Sequence, residues 1–209
     1  MPSISDFEIM APVGSYDSLT AAIQGGADSV YFGIEGLNMR ARSSNNFTID
    51  DLHEIVRICN EHRIKSYLTV NTVIYDEDIP LLHRIIDAAK EAGLSAIIAS
   101  DVAAMTYARE IGVEVHLSTQ LNISNTEALR FYARFADVVV LARELNMEQV
   151  ARIHEAILRD RIVGPGGEPV RIEIRQMLFE PSRNECFGES RGLYADLPPF
   201  IRSERQGDR

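Results

Sequence analysis

The sequence has 209 residues, of which 45% are hydrophobic and 25% are charged, and its formal net charge is −10. This composition is typical of a soluble globular protein, and the acidic balance argues against a broad nucleic-acid-binding surface. No apolar run approaches the ~18 residues that a membrane span needs, and the N-terminus has no basic segment followed by an apolar stretch. We therefore expect a cytoplasmic protein that does not associate with a membrane.

Short apolar runs rich in β-branched residues alternate with helical patterns along the chain. These runs predict strands at residues 7–12, 29–34, 65–73, 95–100, 114–119 and 137–142, with a seventh at 170–174. The segments between them repeat apolar residues at i, i+3, i+4 and i+7, which predicts six amphipathic helices. Strands that alternate with helices in this way pair in parallel through right-handed crossovers.

Residues with the preferences of helix caps mark several ends of the predicted helices. Thr48 and Asn125 each precede an acidic first turn, as N-terminal caps do. Gly93 and Gly112 stand where a left-handed C-terminal cap is needed. The glycine- and proline-rich segment 163–169 predicts a surface loop.

Two architectures accommodate this order of elements: a closed barrel and an open doubly wound sheet. No G-x-G-x-x-G pattern follows the first strand, so a dinucleotide site has no signature here. Six or seven units of about 25 residues fit a barrel better, although a complete barrel of eight units typically needs roughly 250 residues. We predict an α/β fold in which residues 1–174 form an incomplete (β/α) TIM-like barrel of six to seven βα units.

Polar and charged residues follow the predicted strands, in loops that are far apart in the sequence. In a barrel these loops meet at the C-terminal ends of the strands, which is the working face of the fold. Their convergence predicts a site for a small molecule. The candidate substrate-binding residues are Glu35, Asn38, Arg40, Asn71, Asp101, Gln120, Asn122, Arg143 and Glu144.

Several polar residues also have a purely structural interpretation. Asp101 fits a helix cap, and Arg143 with Glu144 fits a solvated surface pair. His116 lies within the fifth predicted strand, where a core histidine with satisfied hydrogen bonds is the expected role. We expect the other four histidines to lie on the outer faces of helices; they are His53, His62, His83 and His154.

The loop at residues 36–48 contains the best local candidate for an anion site. Its basic pair, Arg40 and Arg42, could bind a carboxylate or phosphate through bidentate guanidinium contacts. The alternative is a surface loop with no ligand. No catalytic residue is assigned, because no serine–histidine–aspartate or cysteine–histidine arrangement and no H-E-x-x-H motif is visible.

Several longer strings occur in chain order: MAPVGSYDSLTAAIQGGADSVYFGIEGLNMRARSSNNFT, YLTVNTVIYDED, ASDVAAM, HLSTQLNISN and VVLARELN. Together they resemble the collagenase-like peptidase family of unassigned catalytic type, from about Glu8 to Ile174. The resemblance implies a barrel-like N-terminal domain. It also implies one of the family's activities, which are described as proteolysis, hydroxylation of tRNA uridine or ribosomal RNA, and a part in ubiquinone synthesis.

Cysteine usage separates this chain from the hydroxylation members of that family. In those members the resemblance implies an iron–sulfur cluster on four cysteines, just after the strand that corresponds to residues 170–174. Beyond Ile174 this chain has Cys186 alone, and such clusters need several thiolates. Cys59 falls on the apolar positions of a predicted helix and should be a small buried hydrophobic residue. We therefore expect neither a metal site nor a cofactor in this chain.

Two functions remain open at this point. The first is a family enzyme, either a protease or an iron–sulfur-dependent tRNA hydroxylation protein, of which hydroxylation has the stronger chemical argument. The resemblance then implies a small carboxylate together with an RNA or peptide substrate, and Arg40, Arg42 or Arg143 would suit the carboxylate. The second is a truncated remnant without catalytic activity.

The segment 175–209 does not match the family pattern. Codons for residues 175–201 can be chosen so that the second reading frame encodes GKCFLSLAVMNALANRGACMQTCRRS, which contains cysteine elements of the family in family order. Our hypothesis is a deletion with a shift of frame, which would make this segment a disordered, out-of-frame tail. The alternative is a spliced-on interaction tail. An incomplete barrel with an open parallel edge should be weakly stable and prone to aggregation.

The frame hypothesis predicts the DNA sequence around the codon for Arg175. Sequencing should show the cysteine-containing string in the second frame over residues 175–201. A gene without that string in the second frame would exclude the hypothesis.

Overall fold

Seven parallel strands form one sheet in which each strand pairs with the next one in the sequence. The computed structural model describes residues 8–34, 36–37 and 47–173. The strands are β1 (Met10–Pro12), β2 (Ser29–Phe32), β3 (Lys65–Val70), β4 (Ala96–Ala99), β5 (Val115–Leu117), β6 (Val138–Val140) and β7 (Arg171–Glu173). The α-helices of these ranges are α1 (Tyr16–Gln24), α2 (Ile49–Glu61), α3 (Ile79–Ala92), α4 (Val102–Ile111), α5 (Thr126–Tyr132) and α6 (Met147–Asp160).

The strand order decides between the two architectures that the sequence left open. A doubly wound sheet reverses its strand order at a switch point, whereas this sheet runs from β1 to β7 without a reversal. The predicted incomplete (β/α) TIM-like barrel with seven strands is therefore confirmed. The predicted disordered tail, residues 175–209, lies outside the described residues, and the predicted boundary at residue 174 stays a prediction.

The strands separate two apolar layers because successive side chains face opposite sides of a sheet. On the outer side, residues such as Val30, Leu68 and Ile97 pack with the helices in the main core. On the inner side, Tyr67 and Ile98 belong to a second, smaller cluster. The larger core therefore lies between the sheet and its helices, as expected for a barrel with an outer ring of helices.

Local features that the sequence predicts are confirmed at the helix ends. The Thr48 hydroxyl accepts a hydrogen bond from the Asp51 N–H at 3.2 Å, which caps α2. Gly93 and Gly112 have φ values of 75° and 81°, as left-handed C-terminal caps require. Cys59 is fully buried in the main core, as predicted, and burial raises the pKa of its thiol to about 11.

Among the described residues, no helix combines the length and apolar character that crossing a membrane would require.

The loop at residues 163–169 packs closely against the start of β6. The Gly166 N–H donates a hydrogen bond to the Asp137 carboxylate at 2.9 Å. A Cβ atom at Gly164 would lie 2.9 Å from the Asp137 Cα and 3.1 Å from the Ala136 carbonyl oxygen, and closer still to the Asp137 carboxylate. Glycine is needed here because backbone atoms cannot move aside as the end of a flexible side chain can.

We predict that Gly164→Ala lowers the free energy of unfolding by about 2 kcal/mol, since the added methyl group overpacks this contact. Urea denaturation measures the change. Gly14→Ala is the matched control, because a Cβ there would have no neighbour within 4 Å. Equal stability of the two variants would contradict the prediction.

Candidate functional site

The register of the sheet aligns the residues that follow three neighbouring strands. Val70 pairs with Ala99, and Ala99 pairs with the last residue of β5. The next residues along these strands, Asn71, Ser100 and Ser118, therefore lie side by side, with about 5 Å between strands. By the alternation of the pleat they share the inner side of the sheet with Tyr67 and Ile98. Asn71, one of the predicted site residues, thus belongs to a polar row at the C-terminal edge.

A second contact joins the loops that follow β5 and β6. Ile123 and Leu141 form a parallel bridge, and the Ala142 N–H donates a hydrogen bond to the Ile123 carbonyl at 2.9 Å. Asn122 and Arg143 directly flank these bonded residues in the two loops. The bridge therefore joins the two loops, from different βα units, that carry these predicted site residues.

The donors in these two loops are open to solvent. Gln120, Asn122, Arg143 and Glu144 are all exposed, and no ion pair joins Arg143 to Glu144 among the described residues. Asn122 ends a short 3₁₀ turn in the left-handed conformation, with φ 49°. The loops thus present two side-chain amides and a guanidinium, which are donors suited to an anion, together with the carboxylate of Glu144, which is an acceptor.

Asp101 has the structural role that the sequence offered as its alternative. Its Oδ1 atom accepts a hydrogen bond from the Ala103 N–H at 2.8 Å and caps α4. The residue is half-buried at the C-terminal end of β4. Its second carboxylate oxygen leaves a binding role open.

Three predicted site residues, Glu35, Asn38 and Arg40, lie outside the described residues, as does Arg42. Their part in a binding site stays a prediction. The remaining six predicted residues all follow strands at the same edge of the sheet; they are Asn71, Asp101, Gln120, Asn122, Arg143 and Glu144.

A charged network that sequence reasoning missed lies at the opposite end of the inner face. The Glu8 carboxylate accepts hydrogen bonds from Lys65 Nζ at 2.8 Å and from the Tyr67 hydroxyl at 2.9 Å. Burial would raise the pKa of Glu8, but the hydrogen bonds from Lys65 and Tyr67 and the charge of Lys65 outweigh it and leave the pKa lowered. Glu8 is therefore held as a carboxylate.

His116 belongs to the same end of the inner face. Its Nε2 atom lies 3.2 Å from the Glu114 carboxylate, which also accepts a hydrogen bond from Arg171 at 2.6 Å. Its ring packs at 4.9 Å from the ring of Tyr67. The prediction that His116 is a core residue is confirmed, because only 6% of it is exposed. The prediction that its hydrogen bonds are satisfied is wrong for Nδ1, which has no hydrogen-bond partner among the described residues.

The network takes its strand residues from odd-numbered strands. Lys65 and Tyr67 come from β3, His116 from β5 and Arg171 from β7, while Glu8 precedes β1. Alternate strands supply each layer inside a barrel, usually with bulky apolar side chains. Here the side chains are partly charged, and we call this network the ionic layer. It lies toward the N-terminal ends of the strands, where residues usually stabilise the fold. The sequence feature that could have revealed this network is the charged residues at or just before the starts of odd-numbered strands.

The described residues do not fit an iron–sulfur cluster. They include no group of three or more histidine, cysteine or acidic residues that could hold a metal ion. Cys59 is the one cysteine among them, and the raised pKa of its buried thiol disfavours the thiolate that such clusters require. Cys186 lies outside the described residues.

These features define a class of protein: a (β/α) half-barrel with a polar rim at the C-terminal strand ends and an ionic layer at the other end. The chain belongs to peptidase family U32, which matches residues 14–162.

Curated relatives of the chain have different names. A collagenase of Porphyromonas gingivalis is 76% identical over 172 residues, which cover 82% of this chain and 42% of that protein. The tRNA hydroxylation protein P1 of Bacillus subtilis is 33% identical over 153 residues, which cover 72% of this chain and 36% of that protein. The chain thus spans less than half the length of these two relatives.

A solved structure of a U32 peptidase has the same fold. It matches with a TM-score of 0.61 and 16% identity, over 80% of this chain and 67% of that chain. At 16% identity, this structural similarity is evidence for a shared fold and not for a shared function.

We predict that Glu114→Gln lowers the free energy of unfolding at neutral pH. The hydrogen bond to His116 and the charge of Arg171 outweigh burial and lower the pKa of Glu114 below its usual 4.5. A lowered carboxyl pKa stabilises the folded state above the unfolded-state pKa, and this contribution is lost as the pH falls through the folded-state value. Because the side chain is 40% exposed, we expect an effect of only roughly 0.5–1 kcal/mol.

The measurement is urea denaturation of both proteins at several pH values. The difference should be largest at neutral pH and shrink as the pH falls below 4.5. Glu148→Gln on α6 is the control, because its contact with Arg152 is long, at 3.7 Å, and exposed. A difference that grows in acid would refute the assignment.

Proposed function

We propose that this chain carries the ligand-binding rim of a U32-family RNA-hydroxylation protein, and that the rim binds a carboxylate-bearing cosubstrate. The observation that supports this most is the bridge between Ile123 and Leu141, which joins the two exposed loops that carry Asn122 and Arg143. A guanidinium can donate two parallel hydrogen bonds to a carboxylate, and neighbouring amides add further donors.

The acidic character of the chain fits a small ligand better than a nucleic acid at this rim. The net charge is −10, and an RNA backbone would need cationic neighbours. Contacts with RNA would then fall to the part of the relatives that this chain does not span. The proposal routes no step through an iron–sulfur cluster, because the described residues do not fit one.

Peptide hydrolysis is the second candidate, because the relative with 76% identity is named a collagenase. The positions of the histidines do not favour it. His116 is the middle residue of β5 and is buried against Tyr67 and Glu114, and the other four lie on or at the end of helices. A histidine-dependent protease with its site at the rim would therefore have no histidine in the rim loops to act as its general base. An inactive remnant is the third possibility.

We predict that the chain binds citrate or succinate at the rim and that Arg143→Gln weakens this binding by about tenfold or more, because a charge-assisted hydrogen bond is lost. Isothermal titration calorimetry measures the affinity. Arg84→Gln is the matched control, because Arg84 is also exposed but lies on α3 among the outer helices.

Three results would count against the proposal. Unchanged affinity in Arg143→Gln would place the carboxylate elsewhere. Absence of binding by the wild-type chain would favour the inactive remnant. Digestion of gelatin by the purified chain would favour the peptidase instead.

A further inference from the structure

The loop between β3 and α3 displays two large apolar side chains at the rim. Ile74 packs against the main core and anchors the middle of this loop. Its neighbours, Val73 and Tyr75, are 65% and 62% exposed. Single exposed apolar residues are common on protein surfaces, so exposure alone assigns no role.

Hydrogen bonds fix the backbone of this loop at Tyr75. The Tyr75 N–H donates to the Asp78 carboxylate at 3.0 Å, and the Asp78 N–H donates to the Tyr75 carbonyl at 2.9 Å. The resulting turn, Asp76–Asp78, leads directly into α3. A loop that is already ordered loses little conformational entropy when a partner binds, which favours binding.

The charge of the loop indicates which kind of partner would bind there. Between Lys65 and Arg84 the chain has no lysine or arginine, and its charged residues there are Asp76, Glu77 and Asp78. Among the described residues, none of these three carboxylates forms an ion pair. Within the part of the chain that the structure describes, the loop therefore places unpaired negative charge directly beside exposed apolar surface.

The next loop of the rim continues this surface. Because β3 and β4 are paired, the loops that follow them are neighbours. Val102, at the start of α4, is exposed, and it follows the acidic Asp101. Apolar and acidic groups thus recur in two adjacent βα loops.

We propose that this surface, the loop at residues 73–78 together with Val102, is a docking site for a basic, apolar polypeptide segment of another protein. Lysine or arginine side chains of the segment pair with the carboxylates of Asp76 and Glu77. An aliphatic or aromatic side chain packs on Val73 and Tyr75, and an arginine can also stack on the Tyr75 ring. Nucleic acid is disfavoured because its phosphates would be repelled.

This inference does not depend on the proposed carboxylate site. The carboxylate would contact the loops after β5 and β6, whereas the polypeptide would contact the loops after β3 and β4. Either can fail while the other holds, because the two sites share no residue.

The test uses the full chain and fluorescence anisotropy of a labelled peptide in which lysine and arginine alternate with phenylalanine and leucine. We expect a Kd below about 1 mM that rises with ionic strength. Tyr75→Ser should weaken binding by at least about fivefold, and so should the double change Asp76→Asn with Glu77→Gln. Asp78 is left unchanged because it holds the loop.

Matched controls lie on α6, on another surface. Leu158→Ser removes an apolar side chain that is 57% exposed, and Glu148→Gln removes an exposed carboxylate. Each should change the affinity by less than about twofold. Thermal unfolding of every variant verifies that it is folded like the wild-type chain.

The remaining probes can overturn the proposal. They are the same peptide with glutamate at each basic position, and a single-stranded oligouridine. Binding of either probe as tightly as the basic peptide would exclude the proposed partner, and the oligouridine result would indicate a nucleic-acid surface. Loss of binding in the α6 controls alone, equal binding by the loop variants, or absence of binding by the wild-type chain would also overturn it.

Discussion

The parallel pairing of seven consecutive strands is the constraint on which the other features depend. Because each strand pairs with its successor, all strand C-termini lie at one edge and all N-termini at the other. Residues distant in the sequence, such as Asn71 and Arg143, are thereby brought to one rim. Helices on the outer side bury the larger apolar core, and the inner side has a smaller apolar cluster with polar groups at its two ends. Without the register, neither the rim nor the ionic layer would exist.

The two ends of the inner face use polar residues differently. At the N-terminal end the charges satisfy one another: Glu8 binds Lys65, and Glu114 binds His116 and Arg171. At the C-terminal rim the amides and the guanidinium are exposed in loops. A paired ionic layer stabilises a fold, whereas exposed convergent donors can bind a ligand. The chemistry of the two ends therefore separates a structural role from a binding role within one sheet.

The sequence predicts all seven strands because apolar periodicity and cap residues agree. It places strand ends less well: the third strand was predicted to reach residue 73 but ends at Val70. β-branched residues continue after Asn71 with Thr72 and Val73, which lie in a loop, and sequence pattern cannot tell an exposed β-branched residue from a buried one. The bridge between Ile123 and Leu141 was also invisible, because it depends on the approach of two loops. The open Nδ1 of His116 likewise depends on its neighbours in space rather than on its strand position.

The central claim is that the C-terminal rim binds the ligand while the N-terminal end is structural. Mapping of backbone amide chemical shifts during a titration with citrate tests it most directly. We expect the shifts to concentrate in the loops that follow β5 and β6, around Asn122 and Arg143, and to leave Lys65 and Arg171 unchanged. Shifts concentrated around the ionic layer would contradict the claim.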